Sequence, residues 1–137
     1  MDVPITTEIQ DPCFVFTDRL DREFLNSNYA KNLELAKNIF QSFLESSSSD
    51  LAKLKEEVKD NNPEQIASIT HKIKNNFIYI GASGLSDTLI QLEAAAKENS
   101  DEIKEIYDTF NIALEGLLPV IQEELSRLGR YLKTKAC

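Results

Sequence analysis

Tryptophan is absent from this chain, and histidine and methionine occur once each. A single histidine excludes metal sites built from several imidazoles, including the di-metal carboxylate bundle, which needs a Glu-x-x-His motif on two helices. The two cysteines, Cys13 and Cys137, stand near opposite ends with no C-x-x-C spacing. Neither a disulfide framework nor a zinc site is therefore expected, and a reducing, cytoplasmic setting fits best. No run approaches the ~20 apolar residues of a membrane span, and Met1-Asp2-Val3-Pro4 lacks the basic and apolar regions of a secretory signal. Positive charge is in deficit: 15 Lys and Arg against 23 Asp and Glu leave a net charge of −8. That balance argues against a nucleic-acid binder, whose affinity comes from cations displacing counterions on phosphates. There is no glycine-rich phosphate loop, no GxGxxG, no HExxH and no telling cysteine-histidine spacing.

What is present is an ordinary globular composition, 42% hydrophobic and 28% charged over 137 residues, enough for one core. Residues 1–17, with Pro4, Pro12 and the run Cys13-Phe14-Val15-Phe16, show no helical period and read as an extended arm whose aromatics lie against the rest. Residues 18–137 read as one helical domain. Asp18 or Asp21 caps a short helix through about Asn26, broken at Asn26-Ser27-Asn28. From about Tyr29 to Lys59, Leu33, Ala36, Phe40, Phe43, Leu51, Leu54 and Val58 recur at helical spacing, with Ser47 between Phe43 and Leu51. The spacing crosses the serines 46–49 without a phase slip, so one long helix is expected rather than two with Asp50 as a cap. Asn62 as N-cap, Pro63 at the first helical position and Gln65 as half of a capping box open the next helix, which Gly81 ends. Leu85, Leu89, Leu92 and Ala96 stripe another, closing near Asn99. Asp101 begins the last, with Ile103, Ile106, Phe110, Leu114, Leu117, Ile121, Leu125 and Leu128 on its apolar side and Pro119 as a kink.

Without strand-like alternation or an internal repeat, this predicts an all-α, antiparallel up-down four-helix bundle with an additional short N-terminal helix and the arm. The cluster Arg127, Arg130, Lys133 and Lys135 reads as a helix end complementing the macrodipole. Glu56-Glu57 and Glu123-Glu124 read as solvated faces, because adjacent residues diverge by about 100° on a helix. The apolar residues are used by the core, which predicts a monomer.

The informative residue is His71. Ile66, Ile69, Ile73, Phe77 and Ile80 form the core stripe of its helix, and His71 falls about 170° from the centre of that stripe, facing solvent. Lys74 is one turn on, and Glu64, Ala67, Ser68, Asn75 and Ile78 complete the face. Small Ala67 and Ser68 let another protein approach the ring, and Ile78 offers an apolar contact. Neutral imidazole carries a nucleophilic lone pair near neutral pH without an auxiliary base. A neighbouring ammonium can screen an arriving phosphate.

At these residues the chain resembles the histidine-containing phosphotransfer (HPt) domains of multistep His-Asp phosphorelays. The family pattern is histidine, any residue, an aliphatic, lysine, a small residue, then glycine, a small residue and an aliphatic. Here it reads His71, Lys72, Ile73, Lys74, Asn75, then Gly81, Ala82 and Leu85, with Leu92-Glu93 matching a later leucine-glutamate. The resemblance extends loosely from about Asp21 to Leu128; the arm has no counterpart.

It implies a phosphocarrier rather than an enzyme. His71 would accept a phosphoryl group on its outer ring nitrogen from a receiver-domain aspartate and pass it to another, with Lys74 holding the phosphate. The implied partners are response-regulator receiver domains and a hybrid sensor histidine kinase. No cofactor is expected on this chain; magnesium belongs to the receiver. Gly81 serves backbone conformation. Asn75 departs from the pattern, and would crowd docking or donate a hydrogen bond to the phosphate. The rival reading is a helical docking module whose histidine is never phosphorylated, favoured by Asn75, and a third is the phosphotransfer piece of a larger kinase. The start at Met1 and the lack of a trailing linker favour a free-standing protein.

Overall fold

A computed structural model of the chain describes residues 14–134. The expectations for residues 1–13, with Pro4, Pro12 and Cys13, and for Lys135 and Cys137 lie outside the described residues. Among the described residues five helices follow one another: α1 (Arg22–Tyr29), α2 (Leu33–Lys59), α3 (Pro63–Tyr79), α4 (Ser83–Lys97) and α5 (Ile103–Thr134). No strand occurs among the described residues. Helices α2 and α4 each pack on both α3 and α5. With short turns between consecutive helices, this is an up-down-up-down bundle in which α3 and α5 are diagonal.

The apolar stripes do what their spacing predicts. Phe40, Leu54, Ile66, Phe77, Leu89, Leu92 and Ile121 are fully buried. Phe43 of α2, Phe77 of α3 and Phe110 of α5 meet edge to face, with centroids 5.0 and 5.7 Å apart, and run through the middle of the bundle. Helix α2 continues through its serines, with Ser47 turned inward. Helix α5 remains helical through Pro119.

Three local expectations are corrected. Helix α1 does not stop at Asn26 but runs to Tyr29, and α2 starts only at Leu33, capped by Asn32, whose side chain accepts the Leu35 N–H. Asn62 occupies the N-cap position of α3 without capping it, because its side-chain amide donates to Glu57 at 2.6 Å. Asp21 likewise precedes α1 but spends its carboxylate on Ser83, whose hydroxyl donates at 2.6 Å. For Asn62 and Asp21 another side chain competes for the capping group.

At 1.5 Å per residue, α2 and α5 span about 40 and 48 Å, whereas α3 and α4 span only about 25 and 22 Å. The surplus length of the two long helices is covered by α1 and by the segment from Phe14 to Leu20. Phe14, Phe16 and Leu20 are buried there, and three side chains hold the segment's backbone. Arg127 donates to the Val15 carbonyl at 2.7 Å, Arg22 donates to that of Phe16 at 2.7 Å, and the Thr17 N–H donates to Glu124 at 2.8 Å. Glu124 is therefore a buried carboxylate paired with Arg127, not part of a solvated face, and Arg127 lies over the Phe14 ring rather than serving only the helix end. Adjacent Glu123 is exposed and pairs with Arg130 at 3.3 Å.

Candidate functional site

The α3–α4 hairpin builds the site. Its turn requires a residue with positive φ, and Gly81 supplies it at φ +78°. The Gly81 N–H donates to Ile78 and the Ala82 N–H to Phe77, closing α3, while the Gly81 carbonyl accepts the Asp21 N–H at 2.8 Å. Gly81 thus does the backbone work expected of it.

On α3 the stripe of Ile66, Ile69, Ile73 and Phe77 is anchored in the core, and this turns His71 outward with 71% of its side chain exposed. Of the residues expected around it, Glu64, Ser68 and Asn75 are exposed, and Ala67, Lys74 and Ile78 are half-buried. They form one face of α3, as their spacing requires. Lys72 leaves this face and pairs with Asp50 of α2 at 3.2 Å.

The residue that organises the site is on the next helix. Ser86, Ile90, Glu93 and Lys97 recur at four, three and four residues, so they share the edge of α4 that meets α3. Glu93 is only 7% exposed, yet it is charged and fully engaged. Its Oε1 accepts from Lys74 Nζ at 2.8 Å, and its Oε2 lies 3.1 Å from His71 Nδ1 and 3.2 Å from Lys97 Nζ. Burial raises the carboxyl's pKa, but hydrogen bonds and charge from Lys74 and Lys97 outweigh it and hold the group down at about 2.

The consequence reaches the imidazole. An ionised carboxylate can only accept, so the proton between it and the ring belongs to Nδ1, and in the neutral ring the lone pair is on Nε2. No partner for Nε2 occurs among the described residues. The site is an exposed imidazole held in one tautomer by a buried anion, with two ammonium groups sharing that anion.

Sequence reasoning put His71 and Lys74 on one face of α3; in the structure both also reach the same carboxylate, Glu93. It noted Glu93 only as one half of a leucine-glutamate pair and missed Lys97. A Glu four residues before a Lys, on the edge of α4 flanking its apolar stripe, was the available signal. Ile90, half exposed on that same edge, was also missed. Among the described residues no cluster of His, Cys, Asp or Glu could hold a metal ion, and no helix is long and apolar enough to cross a membrane.

Comparison with curated proteins and with solved structures finds no match. A family model, the Hpt domain, matches residues 38–131, a span that takes in most of α2 and all of the His71 and Glu93 site. With an outward histidine on a helical bundle already in place, the chain belongs to the Hpt domain family, the phosphotransfer modules of His-Asp phosphorelays.

Proposed function

We propose that His71 is the phosphoacceptor of a phosphocarrier, taking a phosphoryl group from a receiver-domain aspartate and passing it to another. The observation that carries this reading is the Glu93 carboxylate 3.1 Å from Nδ1 of a ring that is 71% exposed. In the forward step the Nε2 lone pair attacks phosphorus, the bond from phosphorus to the aspartyl oxygen breaks, and the carboxylate leaves with the bonding pair. No proton need move, because Nδ1 keeps its own. The ring becomes cationic, and Glu93 lies where that charge develops, so it is a positioning residue that also offsets the charge of the product. The reverse step, to a second receiver, retraces the same path. Alignment and charge stabilisation dominate phosphoryl transfer, and this chain supplies the acceptor, its orientation and the ammonium groups; any magnesium is brought by the partner.

Glu64, Ala67, Ser68, Asn75 and Ile78 form the surface on which a receiver domain docks around the ring. Ala67 and Ser68 leave room for its approach, and Ile78 with Ile90 gives it an apolar footing.

The test is incubation of the purified protein with a phosphorylated receiver domain and magnesium, followed by mapping of acid-labile, base-stable phosphate. Phosphate on His71 is expected, with none on His71→Gln. Because the ring is exposed, that variant should keep the helical content and thermal stability of the parent. A large loss of stability would make His71 a packing residue. Absence of phosphate in the parent, with receivers that load an unrelated carrier, would favour the docking module.

A further inference from the structure

We propose that Lys97, rather than Lys74, is the cation that engages the phosphoryl group once it is on His71. This rests on His71 being the phosphoacceptor. Both ammonium groups contact Glu93, but in different ways. Lys74 is 22% exposed and holds Oε1 at 2.8 Å. Withdrawing it would leave a buried carboxylate oxygen without its partner, a costly state. Lys97 is 65% exposed and holds Oε2 at 3.2 Å, the oxygen that His71 Nδ1 also contacts. An ion pair of this exposure holds its side chain weakly.

Phosphorylation changes the charges in the right sense to release it. While the ring is neutral, Oε2 has a neutral donor and an ammonium. Once phosphorus is on Nε2 the ring is cationic, and Nδ1 becomes a charge-assisted donor to Oε2. Glu93 then has a second cation without Lys97, and a phosphoryl dianion lies on the far side of the ring. Lys97 can exchange one anion for the other with its stem already in solvent, while Lys74 stays and keeps Glu93 in place. The carboxylate is thus a resting berth for the phosphate ligand.

The test uses phosphoramidate, a small donor that needs no docking surface. The Nε2 lone pair attacks its phosphorus, the bond to nitrogen breaks, and ammonia leaves with the bonding pair. Parent, Lys97→Gln, Lys97→Arg and Lys74→Gln are loaded, and the phosphohistidine is titrated by phosphorus NMR. A nearby cation favours the phosphoryl dianion, so Lys97→Gln should raise the phosphoryl titration midpoint by about half a unit and slow loading by about fivefold. Lys97→Arg should restore both. Lys74→Gln should leave the midpoint in place and lower the thermal stability more than Lys97→Gln does. A midpoint that moves in Lys74→Gln and not in Lys97→Gln, or in neither, overturns the assignment. Absence of phosphate on His71 in the parent overturns the phosphoacceptor reading as well, so the two failures are distinguishable.

Discussion

Replacing Glu93 by glutamine tests the electrostatic core of the site, because it keeps the side chain's size and an acceptor oxygen while deleting the charge. The carboxyl sits at about 2 in the folded protein against an ordinary 4.5. At 1.36 kcal/mol per unit this gap sets a ceiling of about 3 kcal/mol. Lys97 is largely exposed, so water screens its share, and the realistic contribution is about 1 to 2 kcal/mol, most of it through Lys74. The sign follows from the direction of the shift. A lowered carboxyl contributes stability that is fully present above about 4.5, the unfolded value, and that is lost as pH falls toward about 2. Glu93→Gln should therefore unfold more readily than the parent in urea at neutral pH, by about 1 to 2 kcal/mol, and the difference should close progressively below about pH 5. Far-UV circular dichroism reads both transitions in one helical signal. A gap between parent and variant that persists unchanged to about pH 2 would refute the reasoning, since it would show that lost packing rather than lost charge is responsible.

Two further outcomes follow from neighbouring residues. Asn75→Gly should speed transfer from a phosphorylated receiver severalfold while leaving phosphoramidate loading unchanged, because Asn75 is exposed beside the ring and only a bulky donor meets it; equal rates with the receiver would dismiss the crowding account. Gly81→Ala should cost about 1 to 3 kcal/mol and lower the melting temperature by several degrees, because φ is +78° and a Cβ would come within 3.1 Å of Leu25 and 3.2 Å of the Asp21 nitrogen; a melting temperature within about a degree of the parent would contradict that geometry.

The parts of the fold that were legible are those fixed by periodicity. The stripe from Ile66 to Phe77 and that from Leu85 to Ala96 each bury the residues their spacing selects, and the same arithmetic turned His71 outward. Capping was less legible. Asn62 and Asp21 have the right chemistry at the right places, but Glu57 and Ser83 take their side chains, and which partner wins depends on how elements meet. The same limit applied to Glu123-Glu124. A helix wheel puts one of the two toward a neighbour but cannot say that residues 15–17 pass there with an N–H to bond. Glu93 was hidden for a related reason. An acidic residue beside an apolar stripe is ordinarily solvated, and its importance appears only once Lys74 from another helix is seen to face it.

The short first helix then has a larger part in the site than its distance in sequence suggests. His71 and Glu93 meet only if α3 and α4 hold their register, since one helical turn of slippage moves a side chain about 5.4 Å. That register is fixed at the hairpin end, where Gly81 turns the chain. The turn is held from outside: the Asp21 N–H donates to the Gly81 carbonyl, the Asp21 carboxylate accepts from the Ser83 hydroxyl, and Tyr29 donates to the Tyr79 carbonyl at 2.8 Å. Leu25, fully buried, packs where any side chain at residue 81 would have to go. Helix α1 therefore closes the open end of α3, covers the surplus length of α2, and pins the one turn on which the histidine–carboxylate pairing depends.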